Sequence, residues 1–212
     1  MNFDTPIIIF AYSFPHKKSF DFISIISAKG YSNLIVIGAP KVTLRHNANQ
    51  SSDSNASANL FDVQNLCSSL SIPFLECPHD DVKAISMAST SIGAEIAIVA
   101  GARILQANII DIFPKGVVNF HPGKIPETSG LDSFYYTLKS GSSMGVTVHL
   151  IDERVDAGEL IFFEKLQVLP EDTYDSIKHS LYLIQLRALH RFLDIFFSDG
   201  IACSPIHRPK KN

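Results

Sequence analysis

Short apolar runs alternate with amphipathic stretches along the first 121 residues. Four runs have the length and continuous hydrophobicity of strands buried on both faces of a parallel sheet: "PIIIFA" (6 to 11), "NLIVIGA" (33 to 39), "EIAIVAGA" (95 to 102) and "GVVNFH" (116 to 121). Three stretches between them can form helices, at about residues 17 to 29, 60 to 71 and 80 to 92. This alternation predicts right-handed β-α-β units and an α/β fold with a doubly wound, mostly parallel sheet.

The pattern changes from residue 145 onward. "GVTVHLID" and "GELIFFEKLQV" alternate like strands with little room for a helix between them, which predicts an antiparallel or mixed pair at the far end of the sheet. Pro170 then ends the strands, and Thr173 is a capping residue that begins a long C-terminal helix ending near Gly200. Its apolar face is formed by residues at helical spacing: Ile177, Leu181, Ile184, Ala188, Phe192 and Ile195.

The length of 212 residues and the hydrophobic content of 46% predict one domain over residues 1 to 200, with a C-terminal tail over residues 201 to 212. Residues 46 to 60, "HNANQSSDSNASANL", are almost all small and polar. Such a segment cannot bury much apolar surface and is interpreted as a surface loop, with a lid over a site as the alternative.

Charge and cysteine content exclude several classes of function. The formal net charge of -3, with mixed signs throughout, lacks the basic field that nucleic-acid binding requires. No apolar run has the length of a membrane span, and an acid precedes the first apolar run where a leader would be basic, so we expect a cytoplasmic protein. Cys67, Cys77 and Cys203 are odd in number without paired-ligand spacing, which argues against a disulfide framework and against a metal site.

Two polar residues end the fourth apolar run, in "VVNFHPGKIP". Alternate residues of a strand share a face, so Asn119 and His121 point the same way at the carboxyl end of the strand. In open α/β sheets, ligands bind at the carboxyl ends of the strands. An amide and an imidazole therefore lie side by side at a predicted binding edge.

A second polar cluster follows in "MGVTVHLIDERVDAGEL". Thr147 and His149 share a strand face, and Asp152, Glu153 and Asp156 crowd the turn after it. An amide, an imidazole and a carboxylate supply an oxyanion donor, a proton acceptor and a group that orients it, as in an acyl-transfer site without a covalent nucleophile. His149 is interpreted as a residue that lines the strand, and Asp152 and Glu153 as turn residues.

"NFHPGKIP" followed by "GVTVHLIDERVDAGEL" resembles the folate-dependent formyltransferase family, which includes glycinamide ribonucleotide and methionyl-tRNA formyltransferases and the N-formyltransferases of nucleotide-linked amino sugars. The family pattern is Asn-x-His-Pro, a Leu-Pro or Ile-Pro step, Gly-x-[Thr/Ser]-[Val/Ile], and a turn that ends Asp-[Thr/Gly/Ala]-Gly. "AGARIL" (100 to 105) is similar to the family segment whose backbone surrounds the pterin. The resemblance covers residues 100 to 165 and implies a Rossmann-like formyltransferase fold, limited to the catalytic domain.

The resemblance implies transfer of the formyl group of 10-formyltetrahydrofolate to a primary amine, with Asn119, His121 and Asp156 as catalytic residues. Asn119 would donate a hydrogen bond to the formyl oxygen, and protonated His121 would do the same. Asp156 would hold His121, or a water between them. Whether His121 or Asp156 takes the first proton stays open.

The resemblance also implies two binding regions. The folate pocket would be formed by Arg103, Ile104 and Leu105 with the turn residues Asp152, Val155 and Gly158. The amine acceptor would contact Tyr12, Pro122, Gly123, Lys124 and Tyr135, the last within "GLDSFYY" (130 to 136). The expected partners are folate and a small amine, without metal, nucleic acid or membrane, and a homodimer is possible.

Departures from the family pattern guide the choice of acceptor. Glycinamide ribonucleotide formyltransferases carry a Gly-Ser-Asn loop after the first strand whose amides hold the substrate phosphate, whereas this chain has "AYSFPHKKSF", where Tyr12, Phe14 and Pro15 disfavour that approach. We expect neither the basic C-terminal domain of methionyl-tRNA formyltransferases nor the N-terminal domain of formyltetrahydrofolate hydrolases. A nucleotide-linked amino sugar of surface polysaccharide synthesis remains. The alternatives are a glycinamide ribonucleotide formyltransferase, a formyltetrahydrofolate hydrolase, and a non-catalytic folate- or nucleotide-binding module.

Overall fold

The computed structural model of the protein describes residues 3–42, 60–128, 143–196 and 204–206. They fall into two compact units. The N-terminal unit is Phe3–Lys115, and the C-terminal unit begins at Gly116. The single domain expected over residues 1 to 200 stays a prediction.

The N-terminal unit alternates strands and helices. Its elements are β1 (Ile7–Tyr12), α1 (Lys17–Ala28), β2 (Leu34–Ala39), α2 (Val63–Ser69), β3 (Phe74–Glu76), α3 (Val82–Ile92), β4 (Ile96–Val99) and α4 (Ala107–Ile110). Strand β1 pairs in parallel with β2 and β4, and β2 pairs in parallel with β3. The predicted parallel β-α-β arrangement is confirmed. The pattern missed β3 and α4 because three or four residues are too few to display a period.

Burial and capping explain these boundaries. All of Ile7 to Ala11 is inaccessible to solvent, as expected for a strand covered on both faces. The carboxylates of Asp62 and Asp81 accept hydrogen bonds from backbone amides at the first turns of α2 and α3, at 2.9 and 3.0 Å. Helix α3 ends at Gly93, whose positive φ of 67° provides a left-handed cap.

The C-terminal unit contains β5 (Val117–His121), β6 (Gly145–Leu150), β7 (Glu159–Lys165), α5 (Tyr174–Phe196) and β8 (Ser204–Pro205). Strands β5 to β8 pair in sequence order, and each pair is antiparallel. The prediction of antiparallel strands followed by a long helix is confirmed. The register places Asn119 opposite His149 and His121 opposite Thr147, which determines the contacts of the polar residues.

Helix α5 covers one face of β5 and leaves the other face to polar residues. Its capping residue is Thr173, whose hydroxyl accepts a hydrogen bond from the backbone of Ser176 at 3.2 Å. The predicted apolar face is buried from Ile177 to Phe192, while Ile195 is half-buried. Phe192 meets Phe120 edge-on, with ring centroids 5.9 Å apart. Since Phe120 points away from its neighbours Asn119 and His121, helix packing and chemistry use opposite faces of the strand.

Several predictions fall on residues that the structure does not describe. These are the surface loop or lid before Leu60, the acceptor segment at 130 to 136 with Tyr135, the end of α5 near Gly200, and most of the tail. Within the described ranges, none of the helices combines the length and the apolar character needed to cross a membrane.

Candidate active site

The imidazole of His121 is held between two oxygen atoms at the end of β5. Its Nδ1 lies 3.2 Å from Oδ1 of Asp156, and its Nε2 donates a hydrogen bond to the carbonyl oxygen of Thr128 at 2.9 Å. The side chains of His121 and Asp156 are only 7% and 12% exposed. The structure thus brings two of the three predicted catalytic residues into direct contact.

These contacts determine where protons reside in the pair. The Thr128 carbonyl can only accept, so Nε2 carries a proton. A hydrogen bond between Nδ1 and the Asp156 carboxylate requires a second proton, held by the ring or shared with the carboxylate. Both ring nitrogens of His121 therefore already have oxygen partners, Asp156 on one side and Thr128 on the other.

The turn from Asp152 to Gly158 places the Asp156 carboxylate. Asp156 has a positive φ of 48°, and Gly158 has a φ of 105°. A methyl group at Gly158 would lie 2.1 Å from the carbonyl oxygen of Leu150, so only glycine fits. Asp152 stabilises the beginning of the turn, because its carboxylate accepts from the backbone of Arg154 at 2.8 Å and pairs with the Arg154 guanidinium.

Asn119, the third predicted catalytic residue, contacts His149. Its Nδ2 lies 3.3 Å from Nε2 of His149, and Nδ1 of His149 lies 3.0 Å from the carbonyl oxygen of Ala157. His149 is fully buried, and this burial lowers the pKa of the ring to about 4. The sequence had suggested that His149 only lines the strand. In the structure it also contacts Asn119. The same-face alternation with Thr147 was the only sequence signal, and the β5–β6 register is needed to interpret it.

Thr147 holds the chain reversal after His121. Its hydroxyl donates to the carbonyl oxygen of Gly123 at 2.6 Å and accepts from the backbone of Ile125 at 3.3 Å. A methyl group at Gly123 would lie 2.9 Å from Nε2 of His121 and 2.5 Å from Oγ1 of Thr128. Gly123 is therefore required for the packing around the imidazole.

The other predicted site residues that the structure describes in the C-terminal unit lie on these two turns. Pro122 is half-buried beside His121. Lys124 forms an exposed ion pair with Glu127 at 2.8 Å. Val155 is 46% exposed and offers an apolar surface next to Asp156.

In the N-terminal unit, aromatic rings occupy the end of β1. Tyr12 stacks on Phe14 with ring centroids 4.7 Å apart, and His16 meets Tyr12 edge-on at 4.9 Å. Nδ1 of His16 accepts hydrogen bonds from the backbone amide and the hydroxyl of Ser19, at 3.2 and 2.7 Å. Burial, with a smaller contribution from Lys18, lowers the pKa of His16 to about 4, so its ring is neutral near pH 7. The neutral His16 ring thus already accepts a hydrogen bond from the backbone amide of Ser19, in the first turn of α1.

The predicted folate residues of the same unit follow β4. Arg103 donates to the carbonyl oxygen of Pro40 at 3.4 Å, while Ile104 is 72% exposed and Leu105 is buried. Arg103 is therefore anchored at the end of β2, and Ile104 presents an apolar side chain to solvent. Across the residues that the structure describes, no three His, Cys, Asp or Glu side chains form a group suited to a metal ion.

The sequence matches the model of the family described as formyl transferase over residues 37–192. Phosphoribosylglycinamide formyltransferase of Haemophilus influenzae is 28% identical over 90 residues, which cover 42% of this chain and 42% of that protein. The match thus spans less than half the length of this relative.

The solved structures with a similar fold include two formyltransferases. The phosphoribosylglycinamide formyltransferase of Anaplasma phagocytophilum is 17% identical with a TM-score of 0.68, over 96% of this chain and 95% of that chain. A sugar N-formyltransferase from a Shewanella species is 16% identical with a TM-score of 0.66, over 98% of this chain and 75% of that chain. At such identities the likeness concerns the fold alone, and the predicted Rossmann-like formyltransferase fold is confirmed.

Proposed function

Because the chain belongs to the formyl transferase family, we propose that it is an enzyme that transfers the formyl group of 10-formyltetrahydrofolate to a primary amine. The observation that carries this proposal is the contact of 3.2 Å between His121 and Asp156, beside Asn119 on the same face of β5. A non-catalytic binding module has no need of this buried imidazole and carboxylate next to an amide.

The proposed reaction forms one C–N bond and breaks another. The amine nitrogen attacks the formyl carbon, and the carbonyl electrons move to the formyl oxygen. Asn119 donates an N–H to this oxygen, an interaction that strengthens as negative charge grows. When the intermediate collapses, the folate nitrogen leaves with a proton and the attacking nitrogen loses one.

His121 serves as a proton donor in this proposal, and Asp156 as the proton acceptor. Both nitrogens of His121 face acceptor oxygens, so the ring holds its protons, whereas the carboxylate keeps lone pairs that can receive one. The hydrogen bond to the Thr128 carbonyl keeps a proton on Nε2. In this proposal Asp156 takes the first proton, a choice that the sequence left open.

We propose a nucleotide-linked amino sugar of polysaccharide synthesis as the acceptor. The support is the end of β1, where the stacked Tyr12 and Phe14 and the neutral His16 occupy the place of a glycine-rich phosphate loop. The similarity in fold to a sugar N-formyltransferase is compatible with this acceptor. Glycinamide ribonucleotide is the second candidate, favoured by the sequence similarity to the Haemophilus influenzae enzyme.

Release of tetrahydrofolate from 10-formyltetrahydrofolate tests these possibilities. The purified chain is assayed by absorbance with a panel of amino sugar nucleotides, with glycinamide ribonucleotide, and without amine. We expect release only with an amino sugar nucleotide. Turnover with glycinamide ribonucleotide alone would establish the second candidate, release without amine would indicate a hydrolase, and tight folate binding without release would indicate a binding module.

A further inference from the structure

We propose that His149 is a positioning residue that fixes which side of the Asn119 amide faces the reacting group. This inference rests on the proposed function, in which Asn119 donates to the formyl oxygen. It concerns a contact across the β5–β6 pair, where the two residues lie directly opposite each other.

The hydrogen-bond partners of His149 determine its tautomer. The Ala157 carbonyl, 3.0 Å from Nδ1, can only accept, so Nδ1 carries the proton. A neutral ring has only one such proton, which leaves Nε2 as an acceptor. The group of Asn119 that lies 3.3 Å from Nε2 must therefore be the NH₂, and its carbonyl oxygen must point away.

The opposite orientation requires a second proton on His149. An imidazolium would donate from Nε2, and the Asn119 amide would have to rotate to present its oxygen. Protonation of His149 is opposed mainly by burial, because the ring is fully inaccessible to solvent. Burial, with a smaller contribution from the nearby His121, lowers the pKa of His149 to about 4. The Ala157 carbonyl and the charges of Asp156 and Asp152 raise it by less. Near neutral pH the ring therefore holds the amide in one orientation.

This orientation matters because an amide has a donor side and an acceptor side. With one N–H bound to His149, the second N–H of Asn119 remains available for the formyl oxygen. A rotated amide would present its own oxygen and would repel the developing negative charge. Since Ala157 follows Asp156 directly, the same imidazole also connects Asn119 to the turn that carries the catalytic carboxylate.

A double-mutant cycle separates positioning from a merely structural role. Variants H149A, H149Q, N119A and H149A/N119A are compared by kcat and KM. We expect H149A to lower kcat about 10- to 100-fold with KM little changed, since misplacing a catalytic group by about 1 Å costs roughly 100-fold. H149Q should recover part of the loss because the glutamine oxygen can replace Nε2 as acceptor. In the N119A background, removing His149 should have little further effect.

His79 provides the matched control. It is also a buried histidine that contacts a backbone carbonyl, that of Ile37 at 3.1 Å. Any change in kcat caused by H79A should persist at full size in the N119A background. An H149A effect that likewise persists there would overturn the positioning role.

Nitrogen-15 NMR of the wild-type protein tests the orientation without turnover. At pH 7 we expect the Nδ1–H tautomer for His149, and a shift of the Asn119 side-chain NH₂ resonances in H149A but not in H79A. An Nε2–H tautomer would overturn the inference even in an active enzyme. Conversely, the expected spectra from a protein that formylates no amine would overturn the proposed function and leave the orientation standing.

Discussion

The Oδ1 atom of Asp156 lies 3.2 Å from Nδ1 of His121, and Asp156 reaches this position with a backbone in the left-handed region, at φ 48°. Residues other than glycine adopt this region at a cost, so the turn must be held by its surroundings. The turn is held by the close approach of Gly158 to the carbonyl of Leu150 and by the hydrogen bond from His149 to Ala157. The carboxylate is thus aimed at the imidazole before any substrate binds.

The D156N variant should lose most of its activity, with kcat lowered about 100-fold or more, because an amide cannot accept the proton that we propose the carboxylate receives. The amide oxygen of D156N can still accept from His121, but loss of the buried charge should lower stability, which thermal unfolding measures separately from kcat. The surface variant D175N in the first turn of α5 is the matched control and should keep the wild-type kcat. A D156N enzyme with wild-type kcat would contradict the assignment of Asp156.

The N119A variant should lower kcat by about 100- to 1000-fold, the usual effect of removing one oxyanion donor. It also leaves Nε2 of the buried His149 without its donor, for which we expect a loss of about 1 to 3 kcal/mol in the free energy of unfolding. Steady-state kinetics and urea unfolding measure the two effects. N65A, which removes an exposed amide bound to Asp62, is the control for both measurements.

The G123A variant should impair catalysis more than folding. The added methyl group would lie 2.9 Å from Nε2 of His121 and must displace that ring or the Thr128 side chain, so we expect kcat to fall about 10-fold or more. G93A is a useful comparison, because Gly93 has a positive φ but nothing within 4 Å of the added group. It should cost about 1 kcal/mol of stability and leave kcat unchanged. Equal kinetics in both variants would contradict the role of Gly123.

Stability should fall as the pH is lowered from about 6.5 toward 4, in part through His149. Its pKa is about 4 in the folded protein and near the ordinary value of 6.5 in the unfolded chain. Between these values the unfolded chain binds more protons, so acid favours unfolding, with a limiting contribution of about 3 kcal/mol. Urea unfolding at pH 7.5 and pH 5 should show a smaller loss in H149Q than in the wild type.

The exposed His190 provides the control for this pH effect. H190Q should retain the pH dependence of the wild type. His16, with its pKa also lowered to about 4, contributes in the same direction in every variant, so only the difference between wild type and H149Q reports on His149. Identical pH profiles for those two proteins would show that His149 is not buried in its neutral form.

The sequence by itself determined the elements and the chemical groups. Continuous apolar runs predict buried parallel strands, and the apolar spacing after Thr173 predicts a helix with one buried face. The sequence was sufficient here because both predictions depend only on the local pattern of apolar residues. Alternation along β5 likewise placed Asn119 and His121 on one face. The motif resemblance then singled out Asp156 from the three acids of its turn.

Only the tertiary structure decided which of these groups touch. The contact of His149 with Asn119 depends on the β5–β6 register, and the contact of Asp156 with His121 depends on a left-handed turn that no period encodes. The proton positions in the site follow from the carbonyls of Thr128 and Ala157, which lie on the turns after β5 and β6 and not on the strands themselves. Hydrogen bonds have direction and are made across strands and turns, so the sequence provided the side chains and the folded chain determined which atoms donate and which accept.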